Sequence, residues 1–286
     1  MSIYDHYEQV KEIAIPKSNK FNRTSVWQGF NKDTLEVVII KTHHINQVNV
    51  AEMSQTDKFE YQSLIHQLRQ EAQALKKLND NKNVVNLLAY EEDLTYLNEI
   101  TIVMERATGI SLDKYIKING PMQIPMFKQF GEKLVCVVSD LHRMGVIHRD
   151  ISPMNIFIDV QDSHLVKLTL IDLGLAYIRG FGIRHKAAFT QGYAPPQAVH
   201  HLISRIETTY DIYSVGAILH FVLTGSEPYN IPILINEEDE QGYLGIHRDD
   251  LPCYVKEQIR VCLKFSPKNR PTSAANLRCM FREKGW

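Results

Sequence analysis

The chain has 286 residues, 44% hydrophobic and 23% charged, with a formal net charge of −1 at pH 7; it is long enough for one large domain or for two lobes with separate cores. A near-neutral balance speaks against a nucleic-acid partner, which would leave a basic excess. The four scattered cysteines, Cys136, Cys253, Cys262 and Cys279, lack CxxC spacing and read as reduced thiols of a cytoplasmic protein. No secretory signal is legible in MSIYDHYEQVKEI, and the most apolar run, 215–223, is far short of the roughly 20 residues that cross a bilayer.

In chain order, the first notable stretch is KFNRTSVW, residues 20–27, which precedes any glycine; the first is Gly29. Residues 35–41 (LEVVIIK) are rich in β-branched side chains and predict a strand. Phe59, Leu64, Leu68, Leu75 and Leu78 recur at helical spacings and predict a helix over 59–78. Glu71 falls on that apolar face, where a carboxylate needs a partner, and Lys41 is the candidate. Strands are predicted at 84–90 and 99–106, a long helix at 123–144, strands at NIFIDV and VKLTLID, and mostly helix thereafter. The pattern predicts an α+β protein of two lobes, 1–106 and 107–286, with a cleft between them as the default ligand site.

His148-Arg149-Asp150 is followed by Asn155 five residues after the aspartate, and then by Asp172-Leu173-Gly174. An aspartate to accept a hydroxyl proton, an amide and a second aspartate for Mg2+, and an upstream strand lysine are the parts phosphoryl transfer needs. On these motifs the chain resembles the eukaryotic-like (Hanks-type) serine/threonine protein kinases, in flavour the bacterial members with an HRDxSPxN loop. The resemblance runs almost end to end. It includes Val38-Ile39-Ile40-Lys41, Glu71 in LRQEAQAL, Met104-Glu105-Arg106 as gatekeeper and hinge, TQGYAPPQ, Asp211 in DIYSVG, and Arg270 in SPKNRPT. It implies a two-lobed kinase fold and ATP with Mg2+ as cofactors, acting on Ser/Thr hydroxyls of protein substrates. Asp150 would be the base, Asn155 and Asp172 the metal ligands, and Lys41 with Glu71 the phosphate grip. Val26, Ile39, Lys41, Met104, Glu105, Arg106 and Phe157 would line the nucleotide site. No membrane partner is implied.

Several positions depart from the family. Its three loop glycines would fall on Asn19, Phe21 and Thr24, so the nucleotide loop is expected to take another path and to hold phosphates less well. Ile39 and Phe157 are bulky beside the adenine position, where they either stack on the base or fill its space. Ser152 stands where a lysine is usual, and Gln197 replaces a glutamate that would pair with Arg270. Between Asp172 and Thr190 the only hydroxyl side chain is Tyr177, so activity is not expected to require phosphorylation at the usual loop site. Thr190 matches the threonine that favours Ser/Thr acceptors.

Three readings remain open on the sequence. The intact set Lys41, Glu71, Asp150, Asn155 and Asp172 points to an active kinase. The missing glycines, with Ile39, Phe157, Ser152 and Gln197, fit a pseudokinase or scaffold. A kinase acting on a small molecule is the third, against which TQGYAPPQ and DIYSVG speak. A second HRD, 247–249, has Tyr254 where Asn is needed and reads as a surface loop. The acidic run 237–240 reads as a solvated face, and the histidine pairs 43–44 and 200–201 lack metal-ligand spacing.

Overall fold

The computed structural model describes residues 2–14, 16–46, 52–180, 189–199, 206–227, 246, 248–278 and 281. The acidic run 237–240, His200-His201 and His247 lie outside them. The chain forms two compact units, one of residues 1–107 and one of the described residues from 108 onward.

The first unit contains α1 (Ile3–His6), β1 (Tyr7–Glu12), β2 (Lys17–Ser18), β3 (Asn22–Asn31), β4 (Val37–Ile45), α2 (Gln55–Lys77), β5 (Leu87–Asp93) and β6 (Glu99–Glu105). Its antiparallel sheet runs β1-β3-β4-β6-β5, with β2 paired to β3. One face packs Ile3, Val38, Ile40 and Val103 against Trp27. The other packs Ile45 and Ile100 against Ile65 and Leu68 of α2, as strand period and helix period together require. Gly29 serves this sheet: a Cβ there would lie 2.1 Å from the Glu8 carbonyl oxygen, so the first glycine of the chain admits β1, and not a phosphate.

Three predicted boundaries shift, and the strand read at 84–90 runs instead over Leu87–Asp93. The helix starts at Gln55, because the Ser54 hydroxyl accepts from Asp57 N and so satisfies an end amide; Phe59, read as the first core position, is 61% exposed. The strand starts at Val37 and not Leu35, whose φ of 60° places it in a turn.

The second unit contains β7 (Ile110–Ser111), α3 (Leu112–Asn119), α4 (Ile124–Arg143), β8 (Val146–Ile147), β9 (Ile156–Gln161), β10 (His164–Leu170), β11 (Tyr177–Ile178), α5 (Pro196–Val199), α6 (Thr209–Thr224) and α7 (Cys253–Cys262). Phe127, Phe130, Leu134, Val138 and Leu141 form the buried stripe of α4. Every residue of α6 from Thr209 to Leu223 is buried, which makes it the centre of this unit. Gly216 allows α7 to approach, since a Cβ would lie 2.6 Å from Cys262 Cβ. Among the described residues no helix is long and apolar enough to cross a membrane. The architecture is α+β: an antiparallel sheet with one long helix, followed by a mainly helical unit.

Candidate active site

In the first unit, β4 and α2 bring Lys41 and Glu71 together. Lys41 Nζ donates to Glu71 Oε1 at 2.7 Å and to Oε2 at 3.0 Å, and the carboxylate side chain is 1% exposed. A carboxylate so buried stays charged only beside a partner of this kind. The register pairs Val26 with Lys41 and Ile39 with Met104. Glu105 accepts from Asn86 Nδ2 at 3.1 Å, and Arg106 is exposed.

KFNRTSVW is not one loop. Residues 22–27 belong to β3, and the turn is only Asn19 to Phe21, closed by Lys17↔Thr24 and Ser18↔Arg23 pairing. Asn19 Oδ1 accepts from the amides of Phe21 at 2.8 Å and Asn22 at 3.0 Å, an Asx arrangement. The carbonyls are engaged as well, Lys20 O by Asn46 Nδ2 and Phe21 O by Asn46 N. Phe21 is buried edge-on against Tyr61 of α2, 5.9 Å between ring centres, and Lys20 pairs with Asp57. No described residue from 16 to 24 has a positive φ. The turn thus needs no glycine, because it avoids the left-handed backbone that glycine would supply.

In the second unit the residues of the HRD segment, Asn155 and Thr190 converge. Asp150 Oδ2 accepts from Asn155 Nδ2 at 2.8 Å and Oδ1 from the Thr190 hydroxyl at 2.6 Å. With its amide nitrogen committed to Asp150, Asn155 keeps Oδ1 as an acceptor. The β9–β10 hairpin ends on Ile171 N donating to Asn155 O at 2.9 Å, which sets Asp172 next to the loop. An amide oxygen and a carboxylate are the hard donors that Mg2+ takes beside phosphates and water. Phe157 sits in β9, paired with Ser111 and Thr169.

Arg149 and Asp172 both have positive φ, 68° and 59°, a conformation that costs about 1–3 kcal/mol per residue unless the surroundings enforce it. At Arg149 the enforcement comes from Asp211 of α6. Its Oδ1 accepts from Arg149 N at 2.8 Å, and its Oδ2 from His148 N at 2.8 Å and His142 Nε2 at 2.9 Å. Burial alone would raise the Asp211 pKa, but the hydrogen bond and charge of His142 and the Arg149 amide hold it below the usual carboxylate value. Arg149 itself is buried, donates to Leu175 O at 3.3 Å and lies 5.9 Å from the Tyr210 ring centre; burial lowers its pKa. Ser152 is buried. Arg270 Nη2 donates to Gln197 Oε1 at 2.8 Å, a neutral–charged bond where the resemblance would have an ion pair.

Sequence reasoning passed over His142, whose role shows only once α4 and α6 pack together. His43 it set aside as lacking metal spacing, yet its place two residues after Lys41 puts both on one face of β4.

A protein kinase is the class of protein that this sheet–helix unit, helical unit and pair of charged clusters define. The protein kinase domain family model matches residues 22–281, and the chain belongs to that family. PrkC of Bacillus subtilis, a serine/threonine-protein kinase, is 31% identical over 182 residues, 60% of this chain and 26% of its own length. A probable serine/threonine-protein kinase of Clostridium acetobutylicum is 27% identical over 223 residues, 75% of this chain and 32% of its own. The probable serine/threonine-protein kinase fhkA of Dictyostelium discoideum is 28% identical over 263 residues, 84% and 41%. The chain thus spans well under half the length of these relatives.

Proposed function

We propose that this chain transfers the γ-phosphate of ATP to Ser/Thr hydroxyls of protein substrates with Mg2+. The observation that carries the reading is Asp150, whose two carboxylate oxygens are each fixed by a side chain, Asn155 and Thr190. We assign residues 1–106 to nucleotide binding and 107–286 to catalysis and substrate. Bound ATP and Mg2+ supply the phosphoryl group and the charge that neutralises it. Lys41, held by Glu71, grips the α- and β-phosphates, and Asn155 Oδ1 with the Asp172 carboxylate would hold the metal. Val26, Ile39, Met104, Glu105, Arg106 and Phe157 would contact the nucleotide. Asp150 orients the substrate hydroxyl and takes its proton, so that positioning and fixed charge supply most of the rate.

The burial of Arg149 against Leu175 and Tyr210 fits an activation segment that needs no added phosphate. Mass spectrometry of active protein is expected to find no stoichiometric, activating phosphate within 173–189; finding one overturns this part.

A second reading, nucleotide binding or scaffolding without transfer, is favoured by the turn, where Asn19 occupies amides that a glycine loop would offer to phosphates. Incubation with γ-labelled ATP and generic acceptors, beside thermal shift with Mg2+-ATP, separates the two. Label on Ser or Thr supports the kinase; a clear thermal shift with no transfer supports the second reading.

A further inference from the structure

The face of β4 that carries Lys41 also carries His43, and the register sets Thr24 of β3 opposite it. His43 is 3% exposed. Its Nδ1 lies 2.8 Å from the Thr24 hydroxyl, and its Nε2 lies 3.9 Å from Glu71 Oε2. Asn22 Nδ2 donates to the same hydroxyl oxygen at 3.1 Å, which takes one of its lone pairs and leaves the Thr24 proton free to be donated to Nδ1. With Nδ1 accepting from Thr24, the imidazole proton is on Nε2, the nitrogen turned toward the carboxylate. Hydrogen bonds run from Asn22 through Thr24 to His43 and from Lys41 to Glu71, and between them His43 Nε2 faces Glu71 Oε2 across 3.9 Å, a charge–dipole approach longer than a hydrogen bond. An imidazole in this core, next to Ile45 and its cluster with α2, needs polar partners to be tolerated, and the pair it finds are the glycine-free strand and the Lys41 counter-ion. Thr24 is the residue that stands where the family's third glycine would fall.

We infer that His43 is a positioning residue: oriented by Thr24, it helps fix the Glu71 carboxylate that holds Lys41, and so couples β3, beside the glycine-free turn, to the nucleotide grip. The inference rests on the kinase reading for the meaning of Lys41, but its test is written on nucleotide affinity so that the two can fail separately.

The measurement is the Mg2+-ATP dissociation constant, by calorimetry, of the wild type, His43→Leu, Thr24→Val and the double variant. Each single change is expected to weaken binding about fivefold, as loss of one buried polar contact does, and the double variant no more than either, because Thr24 acts through His43. His43→Gln, which restores a donor and an acceptor, is expected to recover most of the loss. His44→Leu, on the opposite, exposed face of β4, is expected to change nothing. In steady state the effect should fall on KM for ATP, with kcat and the KM for the acceptor peptide within twofold of wild type. His43→Leu binding Mg2+-ATP as the wild type does, or the two single effects multiplying in the double variant, overturns the inference. If His43→Leu does not fold, Thr24→Val carries the test, and wild-type affinity in that variant overturns it. Wild type that binds Mg2+-ATP but transfers nothing sinks the kinase reading and leaves this comparison intact; wild type that binds no nucleotide sinks both.

Discussion

The turn at 19–21 and the catalytic loop at 148–155 are both short, and both are organised by side chains that bond backbone amides, yet they use those bonds to opposite ends. Asn19 takes the amides of Phe21 and Asn22 for the turn's own closure, in a backbone without positive φ. Asp211 takes the amides of His148 and Arg149 to hold Arg149 left-handed and to aim the loop. The first segment is relaxed, with the amides of Phe21 and Asn22 engaged by Asn19. The other stays strained because a buried carboxylate on α6 over-determines it. What differs is what each side chain holds: Asn19 closes a turn on its own amides, whereas Asp211 fixes the backbone just before Asp150.

The largest expected effect breaks the strained side. Asp211→Asn removes the buried charge and turns an amide NH2 toward either Arg149 N or the His148 N and His142 Nε2 pair, and is expected to cost about 3–5 kcal/mol in denaturant unfolding, the range for a broken buried charge network, with loss of transfer. Lys41→Met tests the charge assigned to the phosphate grip. A charge about 4 Å from a phosphate is worth roughly 4 kcal/mol at an effective dielectric near 20, and kcat/KM for ATP is expected to fall about 10²- to 10³-fold.

Acid titration of stability comes next. The folded-state pKa of Asp211 is depressed, so its contribution is fully present above the unfolded value near 3.9 and is lost as pH falls toward the folded value. Burial also depresses His220 on α6; it folds neutral, and its contribution declines as pH falls below about 6.5. Thermal melts are expected to fall from pH 7 to 5, and His220→Gln to flatten that segment alone.

Asn19→Ala should do least. It removes two local hydrogen bonds, about 1 kcal/mol of stability, and because those amides are not serving phosphates, Mg2+-ATP affinity is expected to stay within about threefold. A tenfold loss would show that the turn contributes to binding as it stands.

Much of this was legible in the sequence, for reasons that differ by residue. Glu71 was placed by helical period, and its burial against Lys41 followed from what a carboxylate on an apolar face requires. The strand at 22–31 was not legible at its start, since Asn22, Arg23 and Ser25 have little strand preference and take it from pairing with β4. Two-residue strands such as β8 and β11 carry no periodic signal at all. His142 and Asp211 lie 69 residues apart, and their contact is a product of α4 packing on α6. Ser54 as helix cap was readable, but Phe59 drew the boundary inward because its apolar character was taken for burial.

The direct test of whether the strained loop retains its chemistry is the single-turnover transfer rate at saturating Mg2+-ATP, wild type against Asp150→Asn. A general base supplies roughly 10²- to 10⁴-fold, so the rate is expected to drop by about 10³ while the Mg2+-ATP dissociation constant stays within twofold. Transfer by Asp150→Asn at the wild-type rate would contradict the assignment of Asp150 as the base.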